Sequence, residues 1–173
     1  VAPDLTILND IVTKSGINEM SYQQEPDSIL WCVREDGEFV GLTYQRSENV
    51  VAWHRHKLGG TFGTGSSATG FGVVESVASI SGELTEDELY VIVKRTINGA
   101  TKRYVECFAP FDFDETVSTD FRFLDSHLTY SGSATTTLSG LSHLEGQVVS
   151  ILADGATHAD KTVSSGSITL DRS

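Results

Sequence analysis

Few residues in this chain combine a type and a spacing that chemistry requires. His54 and His56 stand two apart in Val50-Val-Ala-Trp-His-Arg-His-Lys57, so on an extended strand both imidazoles project from one face. Such a pair holds Zn²⁺ or Cu²⁺ only with a third ligand, and no Cys or acidic residue sits at a supporting short spacing. Exposed or hydrogen-bonded histidines, without metal, are the expectation. Asp112, Asp114, Glu115 and Asp120 offer oxygens for Ca²⁺. They lack the glycine and the spaced closing carboxylate of an EF-hand loop, and read as a solvated linker. Gly63-Thr-Gly65 is followed by Ala68 where a dinucleotide fingerprint needs a third glycine; no helix ensues and no P-loop lysine is present. No serine sits in a Gly-x-Ser-x-Gly elbow, and Ser126-His127 has no identifiable acid partner. Carboxylate pairs of the glycosidase kind depend on spacing in the fold, and the sequence singles none out. The expectation is a non-enzymatic protein with no catalytic residue, no cofactor and no metal.

The one basic cluster is Lys94, Arg95, Lys102 and Arg103, near the tip of a hairpin turning at Asn98-Gly99. A two-residue turn there sets Arg95 opposite Lys102 and Lys94 opposite Arg103, and like charges directly opposite are unfavourable. One reading of the cluster is a contact for acidic residues of a neighbouring subunit, or for phosphate. The competing reading is an exposed tip kept soluble and guarded against edge pairing by its charges. Cys32 and Cys107 lie far apart and form no disulfide framework; both read as buried free thiols in strands.

Composition narrows the class. A chain of 173 residues, 39% hydrophobic, has enough apolar material for one large or two small domains. Its 12 Lys plus Arg against 24 Asp plus Glu give a formal net charge of -12, which argues against a phosphate-binding surface over the whole domain. The acidity is spread along the chain rather than gathered in a tail. Apolar runs are only a few residues long, so no membrane segment is expected, and the start does not resemble a signal peptide. Two free cysteines suit a reducing cytoplasm or an assembly made there.

The elements that must position these residues are mainly strands. Residues 4 to 15 predict one short N-terminal helix, with Leu5, Leu8 and Val12 on one face, Asp4 as its cap and Gly16 as its exit. Strands are predicted at Ile17 to Gln23, on both sides of Asp36-Gly37, and at Val50 to Lys57. A type I′ turn at Asp36-Gly37 sets Val33 opposite Val40 and Trp31 opposite Leu42. One face would then carry Trp31, Val33, Val40 and Leu42, and the other Cys32, Phe39 and Gly41. Residues 59 to 72 predict a mobile Gly/Ser/Thr loop with Phe62 and Phe71 as anchors. Val73 to Ser81 and the Asn98-Gly99 hairpin follow. Both hairpins are apolar on both faces, as in antiparallel meander sheets of the propeller-blade or sandwich kind. A β-sheet region with the helix is expected over 1–110, a linker over 111–120, and a small β-barrel or sandwich domain over 121–173. Its strands are predicted at Leu128 to Tyr130, Ala134 to Leu138, Gln147 to Ala153, Thr157 to Val163 and Ser167 to Leu170. The chain stops at Asp171-Arg-Ser directly after a strand, which reads as truncation.

An ordered set of motifs adds a resemblance. Tyr22-Gln-Gln-Glu-Pro26, Leu30-Trp-Cys-Val-Arg-Glu-Asp-Gly37, Leu42-Thr-Tyr44 and Ala52-Trp-His-Arg55 are followed by Arg95-Thr-Ile-Asn-Gly99, Arg103-Tyr-Val-Glu106 and Val149-Ser-Ile-Leu-Ala-Asp-Gly155. Together they resemble the tail tubular or nozzle proteins of short-tailed bacteriophages and related prophages. That resemblance implies a fragment of a structural virion protein, since such proteins are longer on both sides. It implies blade-like β-propeller sheets with small inserted β domains, located in the virion tail and assembled in the bacterial host cytoplasm. The implied partners are other viral tail protein subunits, in a homo-oligomeric ring of tail tube or nozzle type. DNA would pass transiently during DNA ejection, without sequence-specific binding. The alternative reading is a glycan-binding or host-attachment module of a phage tail, which exposed Trp or Tyr along a groove would favour.

Overall fold

The computed structural model describes residues 4–7, 9–82, 86–109 and 123–172. The chain is mainly β, built of antiparallel sheets, and divides into two compact units. The first comprises residues 1–95 and 103–125, the second 96–102 and 126–173. The hairpin tip at 96–102 thus belongs with the C-terminal unit. The linker expected over 111–120 lies outside the described residues.

In the first unit, β1 (Ile17–Gln23), β2 (Ile29–Arg34), β3 (Phe39–Gln45) and β4 (Val50–His56) form a four-stranded sheet in sequence order. A second sheet follows in the order β5 (Val73–Ser81), β6 (Asp87–Ile97), β7 (Ala100–Cys107). Along β6 the residues Leu89, Val91, Val93, Arg95 and Ile97 are buried, alternating with more exposed neighbours, the pattern of a sheet with one inward face. Leu89, Val91 and Val93 join Val74 and Val77 of β5 and Trp31, Val33 and Phe39 of the first sheet in one core, with Leu58. The two sheets therefore pack face to face, so the sandwich form of the predicted architecture is the one observed.

The first hairpin differs from expectation by one residue. Val33 pairs with Phe39, Cys32 with Val40 and Trp31 with Gly41. Gly37 N donates to Arg34 O at 2.9 Å and Arg34 N to Glu38 O at 3.1 Å, so the loop has three residues, and within it Gly37 has φ +80°. Asp36 has no positive φ. Its carboxylate instead accepts bonds from Arg34 Nη2 at 2.6 Å and from Glu38 N at 3.2 Å, and these ties favour the longer turn. A one-residue slip exchanges side chains between faces. Phe39 consequently joins Trp31, their rings stacked at 5.1 Å, while Val40 turns to the face of Cys32 and packs there with Val12, Ile17, Leu30 and Trp53. The second hairpin turns as expected, with Asn98 at φ 48° and Gly99 at φ 72°, the two positive values of a type I′ turn.

The predicted N-terminal helix is reduced to a 3-10 turn over Asp10–Thr13. Asp4 accepts bonds from both the N–H and the hydroxyl of Thr6, closing a local turn that competes with helix. Thr6, Ile7, Ile11, Val12 and Thr13 are β-branched, which lowers helix propensity, and Val12 is the buried residue that docks the segment. The Gly/Ser/Thr loop, expected to be mobile, is closed at its base by a bridge between Leu58 and Gly72. Higher up, Thr69 N donates to Phe62 O at 2.8 Å and Phe62 N to Thr69 Oγ1 at 2.8 Å.

In the second unit, β8 (Thr137–Ser139) pairs with β11 (Ser167–Thr169), and β9 (Val148–Ala153) with β10 (Ala156–Thr162). Leu141, Val163 and Ile168 form its core. Asp154-Gly155 and Ser165-Gly166 both have positive φ and make the expected tight turns. No barrel closes among the described residues. Leu128–Tyr130 is not a strand, since its three side chains stand exposed with no buried face to pin a register. The strand expected from Ala134 is confined to Thr137–Ser139. Gln147 Nε2 donates to Thr96 O at 3.4 Å, tying the hairpin tip into this unit.

Candidate subunit-contact site

The four basic residues of the second hairpin occupy three different environments. The alternation of β6 decides this for Lys94 and Arg95, which point to opposite faces. Arg95 is turned inward and is 2% exposed. Its Nε donates to Gly59 O at 2.6 Å, and its Nη1 and Nη2 form a bidentate pair with Glu106. A buried guanidinium is tolerated because every face of the fork finds an acceptor. Lys94 points outward, its Nζ 2.8 Å from Glu75 Oε1 and 4.3 Å from the centroid of the Phe62 ring, within cation–π range. Arg103 on β7 holds the same carboxylate, with Nε to Oε2 at 2.6 Å and Nη2 to Oε1 at 3.2 Å. Hydrogen bonds from Arg103, then Lys94, bring the Glu75 carboxyl down to about 2. Lys102 is exposed and lies in the tip that belongs to the second unit. Lys94, Lys102 and Arg103 are thus surface cations, whereas Arg95 is an internal one.

The electrostatic problem of the cluster is solved by two acids that the basic residues themselves do not announce. Glu75 sits at the bulge of β5, where the pairing with β6 shifts between Val74 and Ser76; the extra residue aims its carboxylate at the cations. Glu106 had a signal. It stands between Tyr104 and Phe108 at period two, the one acid in an inward-facing aromatic series, and such a position calls for a buried cation.

His54 and His56 do share a face, as their spacing predicts, but they are half-buried rather than exposed. His54 Nδ1 and His56 Nε2 are 2.6 Å apart, and Thr43 Oγ1 lies 3.1 Å from His54 Nε2. Trp31 meets both rings edge-on, at 5.6 and 5.0 Å, and Phe108 meets His56 at 6.4 Å. Burial, and then the charge of His54, lower His56 to about 4, and burial lowers His54 as well. The imidazoles are therefore neutral partners in an aromatic packing. Among the described residues no group of three or more His, Cys, Asp or Glu converges. Asp112, Asp114, Glu115 and Asp120 lie outside the described residues. Ser126 accepts a bond at its carbonyl from His143 Nε2, while His127 is exposed.

A second ionic network holds the first hairpin. Arg34 is 6% exposed and donates to Ser15 Oγ, Glu38 Oε2 and Asp36 Oδ2 at 2.8, 2.8 and 2.6 Å. Arg55 Nε stands 3.6 Å from the second oxygen of Glu38. Both cysteines are free. Cys32 is buried as expected, whereas Cys107 is exposed, because the even-numbered inward positions of β7 leave odd-numbered ones facing out. Among the described residues no helix is long and apolar enough to cross a membrane. No protein-family description and no curated protein matches the sequence.

Proposed function

We propose that this chain is a structural part of a phage tail tube or nozzle protein, acting by subunit assembly around the DNA conduit and carrying no catalytic role. The observation that carries the reading is what the motif residues do. Trp31 of Leu30-Trp-Cys-Val stacks on Phe39, and its Nε1 donates to Gln23 Oε1 at 2.8 Å. Gly37 of Asp36-Gly37 accepts Val74 N at 2.9 Å. Trp53 of Ala52-Trp-His-Arg donates to Leu5 O at 3.0 Å. The most specific motifs are spent on architecture, as suits a protein whose product is a shape. The same contacts weigh against the glycan-binding alternative, since both indole N–H groups are used internally and Trp31 is 5% exposed. The net charge of -12 suits a conduit, because a wall that neutralises phosphates retains the DNA.

Electron microscopy of the full-length protein tests this reading. Closed rings with a central opening support it, and a uniform monomer at high concentration overturns it. Reversing Lys94, Lys102 and Arg103 to glutamate, with Arg95 left in place to preserve the fold, is expected to impair ring formation. Unchanged rings would remove these residues from the contact.

A further inference from the structure

The outward face of the β5–β6–β7 sheet carries an exposed apolar centre between ends of opposite charge. Along β6 this face reads Glu88, Tyr90, Ile92, Lys94. Pairing in β5 sets Ile80 beside Glu88, Ala78 beside Tyr90 and Ser76 beside Ile92. The two-residue turn at Asn98-Gly99, extended by the bond from Phe108 N to Leu89 O, brings Val105 of β7 beside Ile92. Val105 is 73% exposed, Ile80 53% and Ile92 36%. A β-branched row of this kind on one sheet normally packs against another layer.

The charge at the two ends decides what that layer is. At one end, Tyr90 Oη donates to Glu88 Oε2 at 2.6 Å; the donor is neutral, so the carboxylate keeps its negative charge. At the other, Lys94 and Arg103 share Glu75, which leaves one positive charge over. A two-fold axis between Tyr90 and Ile92 carries the acidic end of one copy onto the basic end of the other, and does so twice. We infer that this face is a self-association surface, covered by a second copy of the chain packed sheet on sheet with the two β6 strands antiparallel. The contact is isologous, and opposite charges across it fix its polarity. It is a different contact from the ring proposed above and competes with it for Lys94 and Arg103, because a two-fold contact closes on itself and builds no ring alone.

Sedimentation of the whole 173-residue chain over a concentration series tests the inference, with circular dichroism as the check that each variant is folded. The wild-type chain is expected to dimerise. Val105→Glu, at a largely exposed position, is expected to weaken the dimer roughly hundredfold, since two valines leave apolar contact and two carboxylates enter it. Glu88→Lys and Lys94→Glu are each expected to weaken it roughly tenfold by setting like charges opposite. An equimolar mixture of those two variants is expected to recover the dimer, because each end then meets its opposite again. A folded wild type that stays monomeric overturns the inference. So does a dimer indifferent to Val105→Glu, which would place the contact elsewhere, or a mixture that fails to recover.

Discussion

Acidification is expected to destabilise the first unit through the His54–His56 pair. The two rings meet at 2.6 Å between Nδ1 and Nε2, so one nitrogen donates and the other accepts. A proton added to the accepting nitrogen would set two N–H groups against each other and place a charge inside a packing made with Trp31 and Phe108. His56 is lowered from 6.5 to about 4, by burial first and then by His54. Because the folded value lies below the unfolded one, the unfolded chain takes up protons first. Stability is therefore complete above the unfolded value of 6.5 and is lost as the pH falls towards about 4. For His56 alone, the linkage relation gives a loss of about 2 kcal/mol between about pH 7 and about pH 5, reduced to about 1 kcal/mol by solvent screening of a part-exposed ring. The assay is urea unfolding followed by tryptophan fluorescence across that window, comparing the wild type with His56→Gln. Asp4, Glu75, Asp87 and Asp171 all have lowered carboxyl values, so they titrate below the window, and the comparison removes the other histidines. Equal pH slopes for wild type and variant would refute the reasoning.

Three further outcomes follow from single contacts. Gly41→Ala would push a methyl group into the His54 ring and is expected to lower stability by about 1–3 kcal/mol; thermal melts should show part of that loss recovered when His54→Ala is added. Arg95→Leu leaves Glu106 and the Gly59 carbonyl without their guanidinium and is expected to cost about 3 kcal/mol, with Arg95→Leu/Glu106→Leu closer to wild type in urea unfolding. In the folded chain, at concentrations below self-association, a maleimide should label Cys107 rapidly and Cys32 only on unfolding. Cys32 is 0% exposed and burial raises its thiol to about 11, so equal labelling rates in native buffer would contradict the packing.

The sequence was most legible where one local rule acted alone. Asn98-Gly99 and Asp154-Gly155 demanded two positive φ values and have them. β1 and β5 begin and end where the alternating runs do. It was least legible where side chains overrule the backbone rule. Asp36-Gly37 has the same turn grammar, yet the bonds from Arg34 and Glu38 to Asp36 lengthen the loop and exchange the faces of β3. Arg95 and Lys94 look alike in sequence; strand parity buries one and exposes the other. The acids that complete the Lys94 and Arg95 pairs come from neighbouring strands: Glu75 at a bulge of β5, which nothing in the spacing of the basic residues marks, and Glu106 on β7, marked only by its place among inward-facing aromatics.

The tied base of the 59–72 loop has a practical use. Strain or bulk added at its tip is separated from the core by two successive closures, the Leu58–Gly72 bridge and the Thr69–Phe62 pair. Beyond both, at the tip, Gly65 has no atom within 4 Å of where a side chain would begin, and Ser66 and Ser67 are exposed. An epitope or a gold-binding tag inserted there should leave the sandwich intact. In electron micrographs of an assembled particle, it would then mark the position and the orientation of every subunit.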